Sequence, residues 1–231
     1  MFKNLVKNGV RGAFYRGQVP VLVNSYGRSG STLLMDSIVE SRSPVNSGFL
    51  YKVFKVSLKG QAWDLDSCIL KNGGVYKTHD YPPALVSSES VKMVYIFSDP
   101  IDVVKSLLLQ YEKKGKEWMS LHFHHLGSNF DDFFRIIDRD ILGLESHFEA
   151  WLKEERFPIC FVRYEKLWEN QEDLGWFLEV PLRLPPYRPR SPGQLTIDNL
   201  DERLDQAYGS FKEKVVGKED VFTNDKGRSL I

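Results

Sequence analysis

Short apolar runs alternate with amphipathic segments along this chain, and the alternation predicts a mostly parallel β-sheet with helices on both faces. The run Lys92-Met-Val-Tyr-Ile-Phe97 has almost no polar alternation, which is typical of a strand buried on both faces. The predicted strands are, in chain order, Pro20 to Ser25, Gly73 to His79, Lys92 to Phe97 and Pro158 to Tyr164. The sequence therefore predicts an α/β fold with about four to five strands.

The segments between these strands carry apolar residues at helical spacing. They predict helices over residues 31–41, 102–109, 131–153 and 170–178, with Gly143 as the weak point of the third. Residues 181–192 hold five prolines, so the C-terminal region, 181–231, is expected to be irregular. No linker divides the chain, and residues 1–231 are expected to form a single domain.

The composition is that of an ordinary globular protein, and it narrows the choice of partners. Of 231 residues, 42% are hydrophobic and 27% are charged. The 31 basic and 31 acidic side chains cancel, so no overall field attracts nucleic acid. No apolar run reaches the roughly 18 residues of a membrane span, so no transmembrane segment is expected. The two cysteines allow at most one disulfide, and a cytoplasmic location is the simplest expectation.

The N-terminal segment is locally basic, because residues 1–35 hold five basic side chains and no acidic one. Its apolar residues are spaced to share a helical face, which predicts a docking segment over residues 1–18 that covers the sheet edge. Contact of this segment with an anionic membrane surface is the alternative.

The loop after the first predicted strand carries the most specific chemistry in the chain. The strand enters Arg28-Ser-Gly-Ser-Thr32, and a helical pattern follows. Backbone N–H groups and a helix N-terminus at such a loop suit one anionic group. The P-loop of nucleotide hydrolases has Lys directly after its last glycine. Here Ser31 follows Gly30, so a magnesium-dependent ATPase or GTPase is a poor fit. The alternative to an anion-binding loop is a helix N-cap that is rich in serine by chance.

Arg28-Ser29-Gly30-Ser31-Thr32 resembles the 5′-phosphosulfate loop of sulfotransferases that use 3′-phosphoadenosine 5′-phosphosulfate (PAPS). In that family the loop has Lys or Arg, then Ser-Gly, then two hydroxyl residues. The resemblance implies a P-loop-type α/β sandwich in which the five residues bind the donor. Arg28 would contact the bridging region of the phosphosulfate, and Gly30 would let the backbone approach the anion.

A second stretch, Tyr76-Lys-Thr-His-Asp-Tyr-Pro82, resembles the K-T-H-x-x-P region of cytosolic sulfotransferases. Carried over by position, His79 is the general base and Lys77 contacts the transferring sulfuryl group. Strand alternation puts both side chains on one face, and the carboxyl ends of strands are where ligands bind in open α/β sheets. The alternative for His79 is a surface or capping residue.

A third stretch, Val94 to Ser106, resembles the 3′-phosphate region of the same enzymes. Ser106 falls at the position of the family's phosphate-binding serine. Ser98, which we include among the donor-binding residues, stands where the family has an arginine, and a hydroxyl does not replace a bidentate guanidinium. Another cation then reaches the phosphate, or the phosphate is held weakly, or the donor differs. The candidate cations are Lys105, Arg163 and Arg188.

Two further resemblances concern the adenosine end of the donor. Phe161 to Trp168 is similar to a strand-end segment of the family, which implies that Tyr164 lies near the adenine or ribose; Tyr164 as an ordinary core aromatic is the alternative. Lys212 to Gly217 is a faint echo of the family's loop over the 3′-phosphate, with Lys212 and Gly217 matching.

Together these stretches imply a sulfotransferase that uses PAPS without a metal ion and transfers the sulfuryl group to a hydroxyl, or less readily an amine, of a small-molecule or carbohydrate acceptor. Residues 43–72, 110–130 and the C-terminal tail would form the acceptor pocket. Two other functions stay open, a P-loop kinase or related phosphotransferase and a non-catalytic nucleotide-binding module. Clustered histidines at 122–125 are expected in a loop or lid rather than in a metal site.

Overall fold

One six-stranded sheet lies at the centre of the part of the chain that the computed structural model describes, which is residues 18–42, 58–83, 91–125, 130–188, 193 and 195–225. Its strands are β1 (Val21–Asn24), β2 (Lys59–Gln61), β3 (Val75–Thr78), β4 (Lys92–Phe97), β5 (Ile159–Arg163) and β6 (Val221–Thr223). The spatial order is β2-β3-β1-β4-β5-β6, and only the β5–β6 pair is antiparallel. The predicted α/β class with a mostly parallel sheet is confirmed, but the strand count of four to five was too low.

Five α-helices and two 3₁₀ helices connect these strands within the described residues. The α-helices are α1 (Ser31–Arg42), α2 (Pro100–His125), α3 (Leu144–Leu152), α4 (Gln171–Leu178) and α5 (Leu200–Val216), and the 3₁₀ helices are Phe130–Ile137 and Tyr164–Lys166. The continuous helix predicted over 131–153 is wrong. Gly143 has a φ of 64°, a left-handed conformation that separates the 3₁₀ helix from α3.

Strand alternation divides the core into two layers, which explains why β4 shows no polar alternation. Tyr95 and Phe161 point to the layer that contains α2, α3 and α5. Val94 and Val162 point to the layer that contains α1 and α4. All six residues of β4 are buried. Helices therefore cover both faces of the sheet, as the sequence predicts.

The C-terminal region is more regular than expected. Residues 181–188 are irregular, as the prolines predict, but α5 runs for 17 residues from Leu200 and is followed by β6. The buried residues of α5 recur every three or four positions, and they are Leu200, Leu204, Tyr208, Phe211 and Val215. This periodicity predicts a buried helical face. The helix was not predicted, because the prolines before it indicate an irregular C-terminal region.

Three expectations concern the N-terminal segment, membrane-spanning helices and the two cysteines. The docking segment expected at 1–18 lies outside the described residues except for its last residue. Among the helices that the structure describes, none has the length and apolarity needed to cross a bilayer. Cys68 and Cys160 are free thiols, and burial raises the pKa of Cys160 to about 12.

Candidate active site

A cavity of about 1200 Å³ opens where β1 and β3 end, between the start of α1, one face of α2 and the segment that leads into α5. The predicted site residues that line it are Arg28, Gly30, Ser31, Thr32, Lys77, His79, Ser106 and Tyr164. They come from four separate stretches of the sequence. The fold therefore brings most of the predicted donor-binding and catalytic residues to one cavity.

The loop between β1 and α1 has a tightly turned backbone. Gly27, Arg28 and Gly30 have φ angles of 90°, 55° and 84°, all in the left-handed region. Two features require glycine at position 30. Its positive φ is unfavourable for other residues, and a Cβ there would lie 2.3 Å from the ring of Tyr164. For Arg28 the same conformation costs about 1–2 kcal/mol, so the surrounding contacts must hold it.

The buried phenol of Tyr26 supplies one of those contacts. Its hydroxyl donates to the carbonyl oxygen of Ser98 and accepts a hydrogen bond from the Ser98 amide (2.9 Å). Both bonds tie the loop to the end of β4. The start of the loop is also fixed, since the Asn24 side-chain oxygen accepts a hydrogen bond from the Ser25 amide at 2.7 Å.

The start of α1 offers backbone donors to the cavity. The first helical hydrogen bond runs from the Leu34 amide to the Gly30 carbonyl at 3.1 Å. The amides of Ser31, Thr32 and Leu33 precede it, and a helix gives such amides no intrahelical partner. All three residues line the cavity. This arrangement suits an anionic group, which the helix dipole also favours.

Two cationic side chains stand beside these amides. The Arg28 Nε donates to the Ser106 hydroxyl at 3.1 Å, which joins the loop to α2. The Lys77 Nζ donates to the Thr32 hydroxyl at 3.0 Å. Burial, with the nearby charges of Arg28 and Lys59, lowers the pKa of Lys77. A bound anion would offset this charge repulsion and so raise the pKa of Lys77 again.

His79 follows β3 and is only 4% exposed. Its Nδ1 lies 2.7 Å from the backbone carbonyl oxygen of Ser25. Because a carbonyl oxygen only accepts hydrogen bonds, Nδ1 carries the proton, and Nε2 of the neutral ring is the proton acceptor. The indole of Trp63 stacks on the ring with centroids 5.7 Å apart. These contacts give His79 one tautomer and a fixed ring plane.

Three predicted donor-binding side chains do not line the cavity. The hydroxyl of Ser29 donates to the Gly27 carbonyl within the loop. The fully buried hydroxyl of Ser98 donates to Glu165. Lys212 lies in α5 rather than in a loop and pairs with Asp99 at 3.0 Å. Each of these groups stabilises the frame of the site rather than the cavity wall.

Of the three cations considered as replacements for an arginine at position 98, one lines the cavity. Arg163 instead caps α5, donating to the carbonyls of Val215, Val216 and Lys218. Arg188 is exposed and is not part of the wall. Lys105 is part of the wall, where its Nζ lies 2.6 Å from a carboxylate oxygen of Asp201.

Sequence reasoning identified none of the residues of the far wall of the cavity individually. One side comes from α2, which continues beyond the predicted end at residue 109 and contributes Gln110, Lys113 and Trp118. The wall residues of α2 up to Lys113 recur every three or four positions, and this periodicity was the available signal; at Gly115 (φ 76°, ψ −175°) the backbone leaves the helical conformation before Trp118. The other side is the 193–202 segment, which adds Leu195, Ile197 and Asp201. Both lie in stretches expected to form the acceptor pocket; of the third, residues 43–57 are outside the described residues. Among the described residues, no group of three or more potential ligands could hold a metal ion.

Comparisons with known proteins returned a structural likeness. No family model matches the chain, and no curated protein matches it. Among solved structures, the chain is similar to retinol dehydratase in complex with androsterone and the inactive cofactor PAP. The identity is 16%, the match covers 90% of this chain and 71% of that chain, and the TM-score is 0.39.

Proposed function

We propose that this protein is a PAPS-dependent sulfotransferase that transfers a sulfuryl group to a hydroxyl, or less readily an amine, of a small-molecule or carbohydrate acceptor. The observation that carries the proposal is the convergence of anion-binding amides, two cations and a histidine of defined tautomer on one cavity. Such a set suits transfer of an anionic group to a nucleophile that must lose a proton.

The donor set fits PAPS, which carries an anionic group at each end of its ribose. The amides of residues 31–33 and Arg28 would hold the 5′-phosphosulfate. Ser106 and Lys105, neighbours on α2, would hold the 3′-phosphate, with Tyr164 near the nucleoside. A cavity of about 1200 Å³ exceeds the volume of roughly 300–1000 Å³ typical of single-ligand pockets. It therefore leaves room for an acceptor as well.

When bound, PAPS supplies an activated sulfuryl group, and the protein supplies proton transfer and charge stabilisation. The Nε2 lone pair of His79 would take the acceptor proton, while Ser25 holds the other ring nitrogen. Lys77 and Arg28 would stabilise negative charge that grows during transfer, and partial burial strengthens such interactions. Lys77 contributes best with its proton retained, which a bound anion favours.

The phosphotransferase alternative is disfavoured by the contacts of Asp99, the acidic residue after β4 that a phosphotransferase would use as its magnesium ligand. One carboxylate oxygen of Asp99 accepts from the Ile101 amide at 2.8 Å, and the other pairs with Lys212. One oxygen therefore serves the start of α2, and the other pairs with a side chain of α5. The other alternative, a non-catalytic nucleotide-binding module, is supported by Ser98, because this residue stands where sulfotransferases have the arginine that binds the 3′-phosphate of the donor.

Calorimetry separates the three functions. We expect adenosine 3′,5′-bisphosphate to bind without metal, and ATP with Mg²⁺ to bind much more weakly. Tighter binding of ATP with Mg²⁺ would refute the donor assignment. Single-turnover transfer from PAPS to a panel of alcohols then tests catalysis, and bisphosphate binding without any transfer would favour the non-catalytic module.

The base is tested with His79→Ala, which we expect to lower the transfer rate by roughly a hundredfold or more. Bisphosphate affinity should change much less, because the proposed role concerns the acceptor proton. The matched control is His124→Ala, which removes an exposed histidine of α2 outside the cavity wall. Equal rates for the two variants would show that the base is a different group.

A further inference from the structure

A buried histidine of α3 contacts the backbone that follows His79. His147 of α3 is 1% exposed, and its Nε2 lies 3.0 Å from the carbonyl oxygens of both His79 and Asp80. Because both partners are carbonyls, Nε2 of His147 carries a proton and donates to them. The ring therefore contacts the backbone on which the proposed base is mounted.

The other nitrogen of His147 has an equally definite partner. The hydroxyl of Tyr95, fully buried in β4, lies 2.8 Å from Nδ1. Since Nε2 holds the proton of the neutral ring, Nδ1 accepts from the tyrosine. Burial lowers the pKa of His147 to about 4 and raises the pKa of Tyr95. Both groups are therefore neutral at pH 7, and the donor–acceptor order runs from Tyr95 through His147 to the two carbonyls.

Other side chains converge on the next peptide, between Asp80 and Tyr81. The Asp80 carbonyl also accepts from the Trp151 indole (2.9 Å) and from the Asn24 side chain (3.1 Å). Buried polar groups cost stability unless they are satisfied, and an apolar side chain could fill the core position of His147. His147 instead uses one nitrogen to donate to the carbonyls of residues 79 and 80 and the other to accept from Tyr95, which points to a role beyond packing.

We propose that His147 is a positioning residue for His79. Its Nε2 proton fixes the peptide after His79, and this keeps the His79 Nδ1 on the Ser25 carbonyl and leaves Nε2 as the proton acceptor. The inference rests on the proposed role of His79 as the base, so its test includes a measurement that needs no activity.

Three variants at position 147 separate the two hydrogen bonds. His147→Gln has an amide group at the reach of Nε2 and keeps a donor for the carbonyls. His147→Asn has a polar group at the reach of Nδ1 and keeps a partner for Tyr95 only. His147→Phe keeps neither. Tyr95→Phe is the matched control, because it removes a buried hydroxyl from the same network without removing a donor to residues 79 and 80.

The first measurement is ¹⁵N NMR of the His79 ring in the full chain. We expect a single tautomer with the proton on Nδ1 in the unchanged protein, in His147→Gln and in Tyr95→Phe. We expect a mixture of tautomers in His147→Asn and His147→Phe. The second measurement is turnover, which should fall roughly tenfold to a hundredfold in the latter two. Bisphosphate affinity should stay constant, and glutamine should restore most of the rate.

Each outcome decides the inference. An unchanged His79 tautomer and rate in a folded His147→Phe variant would overturn it, and if that variant fails to fold, the Gln and Asn pair gives the same decision. Equal losses of rate in Tyr95→Phe and His147→Asn at equal losses of thermal stability would indicate a purely structural role and also overturn it. If His79→Ala keeps full turnover while the tautomer still depends on His147, the proposed base fails but the positioning contact stands.

Discussion

Acidification should destabilise this fold through His147, and the size of the effect follows from its burial. The ring is neutral in the native state, where burial lowers its pKa from the ordinary 6.5 to about 4. In the unfolded chain the ring returns to the ordinary value. Above about pH 6.5 both states are neutral at this residue, so His147 adds nothing to the pH dependence.

Below pH 6.5 the unfolded state binds a proton that the native state refuses, and the free energy of unfolding falls with pH. The gap between 6.5 and about 4 is roughly 2.5 pH units. At about 1.4 kcal/mol per unit, the loss approaches 3 kcal/mol by pH 4. That loss is a large fraction of a typical total stability of about 5–15 kcal/mol.

Two partly buried carboxylates act in the opposite direction and must be subtracted. Burial raises the pKa values of Asp80 and Asp140. Their native forms take up protons at a higher pH than their unfolded forms do, so each of them adds stability as the pH falls. The comparison of the unchanged protein with His147→Gln removes these contributions, because both proteins share them.

The assay is urea unfolding of the two proteins from pH 7.5 to pH 4.5. We expect the difference in unfolding free energy to be constant above pH 6.5. Below it, the difference should shift in favour of His147→Gln by about 1.4 kcal/mol per pH unit. Parallel stability curves across the whole range would refute the reasoning, since they would show that His147 is protonated equally in both states.

Three further predictions concern ligand binding, each measured by calorimetry with adenosine 3′,5′-bisphosphate. Gly30→Ala should abolish binding, because a Cβ there would collide with Tyr164; Gly115→Ala is the control, with a similar φ of 76° but nothing within 4 Å, and equal affinities would contradict the argument. Arg28→Ala should weaken binding by roughly tenfold to a hundredfold, since a charged hydrogen bond contributes about 1.5–3 kcal/mol, and unchanged affinity would remove it from the site. Asp201→Asn should raise affinity by up to about fivefold, because an exposed ion pair with Lys105 is worth about 0–1 kcal/mol; a fall in affinity would contradict this.

The sequence predicts the elements whose structure depends on their own residues. The β1 strand, the Arg28-to-Thr32 loop and α1 follow one another with local signals at each step. The four predicted strands are apolar because both faces of the sheet are covered. Gly143 was correctly identified as a weak point, although its left-handed backbone divides the segment outright rather than bending one helix.

The missed elements depend on their neighbours. β2 and β6 are three residues each, and their strand conformation comes from pairing with β3 and β5. Arg163 could not be distinguished from a phosphate ligand by sequence, because the carbonyls it caps lie more than 50 residues away. A cation at a strand end is equally suited to an anion or to a helix C-terminus, and only the tertiary fold decides between them.

The environment of Ser98 shows which contacts an arginine at this position would keep and which it would lose. Its amide and carbonyl both bond to the Tyr26 hydroxyl, and its own hydroxyl donates to Glu165, so the position is fully enclosed. An arginine side chain would lose the hydroxyl contact to Glu165 and would have to extend out of this fully buried position to reach the cavity. If the proposed donor binds, the cation for its 3′-phosphate would come from the cavity wall, where Lys105 precedes Ser106 on α2. Lys105 already pairs with the carboxylate of Asp201. A phosphate that binds Lys105 would replace that carboxylate as its partner. The positive charge of Lys105 is therefore fully available to the phosphate only when Asp201 moves away.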